Sequence, residues 1–109
     1  MNIEIHGPAG RLEASLDEPA SGTGRPSAVV VFAHPLPPSG GTMHTKVVFR
    51  SAKALSKIGC VVLRFNFRGT GASAGTFDDG HGELADFRAA LDCMSDRYPH
   101  VSELWAGGF

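Results

Sequence analysis

The segment His34-Pro35-Leu36-Pro37-Pro38 has residue types and spacing that could take part in catalysis. Proline lacks a backbone N–H and has a fixed φ angle. The three prolines of this segment therefore stiffen the chain and leave the Leu36 amide as one of few backbone hydrogen-bond donors. A stiff loop with an isolated backbone N–H suits an oxyanion hole, because preorganised donors stabilise developing negative charge best. The alternative is a proline-rich connector in which His34 only fills space.

A second candidate is the glycine-rich segment 67–75, in which Gly69, Gly71 and Ala74 match the dinucleotide-binding pattern G-x-G-x-x-A. That pattern normally lies in the first strand-to-helix turn and opens a helix directly, so that the pyrophosphate meets the helix N-terminus. Here residues 76–80 separate it from the next helical pattern. A nucleotide-binding α/β domain is therefore an alternative that the spacing does not favour.

An acidic cluster over residues 78–83, with Asp86 one turn further on, invites a metal-binding hypothesis. Its spacing matches neither an EF-hand loop nor a His-Glu-x-x-His zinc helix. Helix capping explains it better: Asp79 or His81 would cap the helix, and Glu83 and Asp86 would favour its positive N-terminal end. We therefore predict no metal site in the chain.

Hydrophobic patterning indicates the elements that carry these segments. Residues 3–5 and 12–16 alternate apolar and polar side chains around a Gly-Pro-Ala-Gly turn, which predicts an antiparallel hairpin with one solvent-facing side. The continuous apolar runs 28–33, 60–67 and 104–107 are typical of strands covered on both faces.

Two helical patterns lie between these three runs. The first spans Thr42 to Ile58 and the second spans Glu83 to Tyr98. In the second helix, the apolar positions predict the core face and the charged positions predict the solvent face. The core-facing set is Leu84, Phe87, Leu91 and Met94, and the solvent-facing set is Asp86, Arg88, Asp92 and Asp96.

Strand, helix, strand, helix, strand predicts an α/β domain with a parallel sheet over residues 1–109. The two candidate loops then follow the carboxyl ends of neighbouring strands, where parallel sheets place their functional groups.

The composition excludes some function classes. A formal net charge of −1 provides no basic surplus for nucleic acid. The first residues lack the pattern of a secretory signal, and no apolar stretch approaches the roughly 20 residues that span a bilayer. We predict a cytoplasmic protein with neither nucleic acid nor membrane as a partner.

Taken together, four segments resemble the α/β-hydrolase superfamily, and most closely its small, dienelactone-hydrolase-like bacterial serine hydrolases. They are residues 34–43, residues 64–73, residues 77–83 and Gly107-Gly108-Phe109. The resemblance implies the N-terminal half of an α/β-hydrolase fold, with an antiparallel hairpin followed by a parallel β-α-β-α-β unit that ends at the nucleophile elbow. It also implies that the third strand lies between the fourth and fifth.

The resemblance implies a hydrolase of carboxylic esters or related acyl bonds, with the Leu36 amide in the oxyanion hole. The nucleophilic serine, the acid and the histidine would lie beyond Phe109, so the chain alone would be inactive. The expected partner is a small acyl substrate, with no cofactor, and the open sheet edge would permit self-association. A non-catalytic interaction module is the second alternative. The residues expected to contact substrate are His34, Pro35, Pro37, Gly40, Gly41 and Phe109.

Overall fold

The strands and helices are seen in a computed structural model that describes residues 1–20 and 25–108. The helices are α1 (Lys46–Lys57) and α2 (His81–Arg97). The strands are β1 (Asn2–Gly7), β2 (Gly10–Asp17), β3 (Ala28–Ala33), β4 (Cys60–Phe65) and β5 (Leu104–Gly108).

These strands form one sheet in the order β1-β2-β4-β3-β5. The β1-β2 hairpin is antiparallel and joins β4 in antiparallel pairing, whereas β3 is parallel to both β4 and β5. The predicted α/β fold class, the hairpin and the position of the third strand are confirmed.

Two apolar cores cover the opposite faces of the sheet. The larger core includes Leu63 and Phe65 of β4 and packs against Ala90 and Met94 of α2. The smaller core joins Val62 of β4 to the α1 side chains Val48 and Ala52. Because β3 and β4 contribute alternate side chains to both cores, their apolar runs are continuous.

The predicted faces of α2 are wrong at two positions. Leu84 is 73% exposed, and Asp86, which was expected to face solvent, has no exposed surface. Asp86 is buried because it pairs with Arg68 from the loop after β4. Arg68 lies 18 residues before Asp86 in the chain, so the periodicity of the helix itself could not indicate this pairing.

The predicted cap of α2 is also wrong. The N-cap residue is Gly80, at φ +94°, rather than Asp79 or His81. The Glu83 carboxylate reaches back and accepts the N–H groups of Gly80 and Asp78, at 2.9 and 2.8 Å. One carboxylate in the first helical turn therefore satisfies two backbone donors, as in a capping box.

The first helix begins later than predicted, at Lys46 instead of Thr42. Residues 42–45 instead form a turn in which Thr42 N–H donates to Thr45 Oγ1 and Thr45 N–H donates to the Thr42 carbonyl, both at 3.0 Å. Threonine hydroxyls that bond nearby backbone groups compete with helix formation, which explains the delay.

The prediction of one solvent-facing side for the hairpin fails at the end of β2. Ser15 lies on the side expected to face solvent, yet it is buried, as is Asp17 two residues further along the same face. Arg64 of β4 covers them, with its Nε donating to Asp17 Oδ2 at 3.1 Å.

At the other edge of the sheet, the β5 side chains Leu104 and Trp105 are exposed. Self-association through this edge stays a prediction. In the part of the chain that the structure describes, neither helix has the length and apolar character needed to cross a membrane.

Candidate functional site

The candidate site lies where three parallel strands end together. Ala33 at the end of β3 pairs with Gly108 of β5, and Phe32 pairs with Arg64 of β4. The loop after β3 (34–45, the β3 loop) therefore begins between the ends of β4 and β5. The loop after β4 (66–80, the β4 loop) starts beside it, as predicted from the parallel arrangement.

Leu36 lies at the exposed turn of the β3 loop. Its carbonyl accepts the N–H groups of Ser39 and Gly41, at 3.1 and 3.3 Å, around a single 3₁₀ turn over Pro37–Ser39. No acceptor among residues 1–20 and 25–108 receives the Leu36 N–H. The residue as a whole is 56% exposed, and the turn holds its backbone in place.

His34 is only 2% exposed and contacts both loops. Its Nε2 accepts the Phe67 N–H at 3.1 Å, and its Nδ1 lies 2.6 Å from the Pro35 carbonyl oxygen. The ring meets the Phe67 ring edge-on, with 4.9 Å between centroids. Burial lowers the pKa of His34, and the bond to Pro35 opposes this effect in part. Both ring nitrogens of His34 are thus engaged in hydrogen bonds that join the two loops, so the side chain does more than fill space.

The other residues expected at the substrate surface lie in the same loop. Pro35 and Pro37 are half-buried, Gly40 is exposed with φ +87°, and Gly41 is buried. A Cβ on Gly41 would overlap the Pro35 carbonyl oxygen, so only glycine allows this close approach. Phe109 lies outside the described residues. Contact of these residues with substrate stays a prediction.

The backbone N–H and carbonyl of Met43 fasten the far end of the β3 loop to Asn66 of the β4 loop and to Arg64 of β4. Met43 N–H donates to Asn66 Oδ1 at 2.8 Å, and the Met43 carbonyl accepts Arg64 Nη1 at 2.9 Å. Sequence reasoning missed both side chains, although an Arg and an Asn within the apolar run 60–67 were a signal. Polar side chains in a buried strand need partners, and here the loop provides them.

Glu13 of β2 fastens the β4 loop in a similar way. Its Oε1 accepts Asn66 Nδ2 and the Ala72 N–H, at 2.8 and 2.9 Å. The Ala72 bond, followed by the Asn66 bond, lowers the pKa of Glu13. Ser73 completes the link, because its Oγ donates to the Asn66 carbonyl at 2.6 Å and accepts the Glu13 N–H at 2.8 Å.

The β4 loop does not have the geometry of a dinucleotide site. The Gly69 N–H donates to the Ala74 carbonyl, and the Ala74 N–H donates to the Arg11 carbonyl, at 3.0 and 2.7 Å. Several amides of the loop thus bond to the chain itself, and α2 begins only at His81. In the part of the chain that the structure describes, no three acidic, His or Cys side chains group together to hold a metal ion.

Solved structures share this architecture over the whole chain. An α/β serine hydrolase without a lid from Xanthomonas campestris is 39% identical, with a TM-score of 0.93. An α/β serine hydrolase homologue from Coxiella burnetii is 38% identical, with a TM-score of 0.92. The chain has the N-terminal half of an α/β-hydrolase fold.

Matches to this half-fold cover only part of each relative. The chain spans 50% and 51% of those two structures. An uncharacterised protein of Rickettsia prowazekii is 41% identical over 107 residues, which are 98% of this chain and 44% of that protein. No family model matches the chain. The similarity to the two solved α/β serine hydrolases confirms, at the level of the fold, the α/β-hydrolase resemblance predicted from the sequence.

Proposed function

We propose that this chain forms the oxyanion-hole half of a serine hydrolase that cleaves carboxylic esters or related acyl bonds. The observation that carries the proposal is the Leu36 N–H, which has no acceptor among the described residues and is held by a stiff turn after β3. The likeness to α/β serine hydrolases supports it. The dienelactone-hydrolase-like character and the cytoplasmic location belong to the same proposal.

In the proposed reaction, a serine beyond Phe109 attacks the acyl carbonyl carbon while a histidine takes the serine proton. The carbonyl oxygen becomes an oxyanion and accepts the Leu36 N–H. Collapse expels the alcohol, which receives the proton, and leaves an acyl-enzyme that water hydrolyses in the same way. In this proposal the serine, the histidine and its acid partner lie beyond Phe109, and residues 1–109 contribute the donor and the loop that holds it.

Replacing Leu36 with proline in the full-length protein that contains this chain tests the proposed donor. Leu36 has φ −50°, a value that proline adopts, so the substitution removes the N–H while the backbone path is kept. We expect turnover of p-nitrophenyl esters to fall by about 10²–10³, as for other oxyanion-hole donors.

Leu36→Ala is the matched control, because it removes the side chain and keeps the N–H. Turnover close to wild type for Leu36→Ala, with a large loss for Leu36→Pro, supports the proposal. Equal turnover in the two variants rejects the role of the Leu36 amide. A full-length protein that hydrolyses no ester or thioester rejects the proposed activity.

A further inference from the structure

We propose that His34 is a positioning residue that sets the direction of the Leu36 N–H by holding the Pro35 carbonyl. The inference rests on the proposed role of Leu36 as oxyanion donor and adds how that donor is aimed. His34 itself does not touch the substrate in this arrangement, because its ring is buried and both ring nitrogens are hydrogen-bonded.

The geometry of a peptide bond links the two groups. The Pro35 carbonyl and the Leu36 N–H belong to one planar unit, and no cis peptide bond occurs in the described residues. In a trans peptide the C=O and N–H point in opposite directions, so fixing one fixes the other. The 2.6 Å bond from His34 Nδ1 to the Pro35 oxygen therefore aims the Leu36 N–H away from the histidine ring.

The second ring nitrogen determines which atom carries the proton. The Phe67 N–H donates to His34 Nε2, so Nε2 must be unprotonated and Nδ1 must hold the hydrogen that it donates to Pro35. Phe67 is the second residue of the β4 loop, and thus the start of that loop sets the tautomer that holds the β3 loop. A protonated His34 would lose the Phe67 bond.

Gly41 lies against the same peptide unit. Its missing side chain leaves space for the Pro35 carbonyl, which a Cβ would overlap. Its N–H donates at 3.3 Å to the Leu36 carbonyl, which belongs to the next peptide unit and closes the turn. The Pro35 carbonyl is therefore bonded by the His34 imidazole and approached closely by the Gly41 backbone, and a substitution at either residue disturbs it separately.

The kinetic test uses the full-length protein and three variants. His34→Phe removes both hydrogen bonds, His34→Asn restores a donor close to the position of Nδ1, and Gly41→Ala pushes on the Pro35 carbonyl. Because a misplacement of about 1 Å costs up to about 10²-fold in rate, we expect kcat to fall about 10- to 100-fold in His34→Phe and Gly41→Ala. KM should change by less than about threefold, since the lost interaction forms in the transition state.

The controls separate positioning from general damage. His100→Asn changes an exposed histidine after α2, and Ser39→Ala changes an exposed side chain in the same turn as Leu36. Both should keep wild-type kcat, and His34→Asn should recover most of the activity lost in His34→Phe. A wild-type kcat in His34→Phe, or a loss of kcat in His34→Asn as large as that in His34→Phe, would overturn the role of His34. The proposed function would not be affected, because it is tested separately by Leu36→Pro.

A second readout needs no activity. In the wild-type full-length protein, ¹⁵N NMR should show a protonated Nδ1 and an unprotonated Nε2 for His34. The Leu36 amide resonance should shift in His34→Phe and Gly41→Ala and stay unchanged in His100→Asn. A protonated Nε2 at neutral pH would overturn the proposal, even if the full-length protein hydrolysed no ester.

Discussion

Asp86 binds Arg68 at three points. Its Oδ2 accepts the backbone N–H and the Nε of Arg68, at 3.0 and 3.1 Å, and its Oδ1 accepts Nη2 at 2.9 Å. The Asp86 hydrogen bond is the main cause of a raised pKa for Arg68. Arg68 also reaches the Gly82 carbonyl at 2.9 Å, so one residue fixes the first turn of α2 to the β4 loop.

Replacing Asp86 with alanine should lower the free energy of unfolding by about 3–5 kcal/mol, because it leaves the largely buried Arg68 guanidinium without its counter-charge. The measurement is urea denaturation at pH 7. Asp92→Ala, on the exposed side of the same helix, is the control and should change stability by less than about 0.5 kcal/mol. Equal effects in the two variants would mean that the Asp86 pair does not stabilise the fold.

The two cationic side chains that bind Asp17 should differ in their contributions to the free energy of unfolding. Arg64 is 5% exposed and binds Asp17 Oδ2 at 3.1 Å, whereas Lys53 is 49% exposed and binds Oδ1 at 2.9 Å. Arg64→Met leaves a buried carboxylate short of its partner and should cost about 3–5 kcal/mol, while Lys53→Met should cost at most about 1 kcal/mol. Denaturation of both variants in low and high salt checks this, and a larger loss in Lys53→Met would contradict it.

Removal of the Asn66 side chain should loosen both loops of the site. Asn66→Ala leaves the Met43 N–H without its acceptor and Glu13 without one of its donors. Each buried group left unpaired costs about 1–3 kcal/mol, so we expect a loss in this range or above it. Urea denaturation measures the loss, and amide hydrogen exchange should show faster exchange at Met43.

Asn2→Ala, an exposed asparagine of β1, is the control for that substitution. It should alter stability by less than about 0.5 kcal/mol. Unchanged exchange at Met43 in Asn66→Ala would show that the amide has another acceptor.

The lowered pKa of His34 predicts a pH-dependent stability. Burial is its main cause, the Pro35 carbonyl bond opposes it, and no charged side chain is among the causes. The unfolded chain binds a proton near pH 6.5 and the folded chain only at lower pH. The stability contributed by neutral His34 is therefore fully present above pH 6.5. It is lost as the pH falls through the lowered pKa of His34 in the folded chain.

Wild type and His34→Asn should be compared by urea denaturation between pH 8 and pH 5. Asparagine does not titrate, so the free energy of unfolding of wild type should fall relative to that of His34→Asn as the pH falls. Glu13 also has a lowered pKa, but its contribution is lost only below about pH 4.5 and is common to both proteins. A difference that stays constant from pH 8 to pH 5 would contradict the assignment to His34.

Local patterns predicted most of the backbone. The run at 28–33 became β3 with the predicted bounds, and the alternation around residues 7–10 became the β1-β2 hairpin. These predictions succeed because strand alternation and turn residues act over a few neighbouring positions. The faces of α2 and of β2 were predicted less well, since Asp86 and Asp17 are buried by arginines distant in sequence.

The sequence by itself determined the order of the elements, the stiffness of the 34–38 segment and the location of its loop at the end of β3. Only the tertiary structure decided that His34 accepts from Phe67 and donates to Pro35, and that Asn66 and Arg64 hold Met43. The reason is physical: a buried polar side chain must find a hydrogen-bond partner, and the sheet order brings those partners together from loops far apart in the chain.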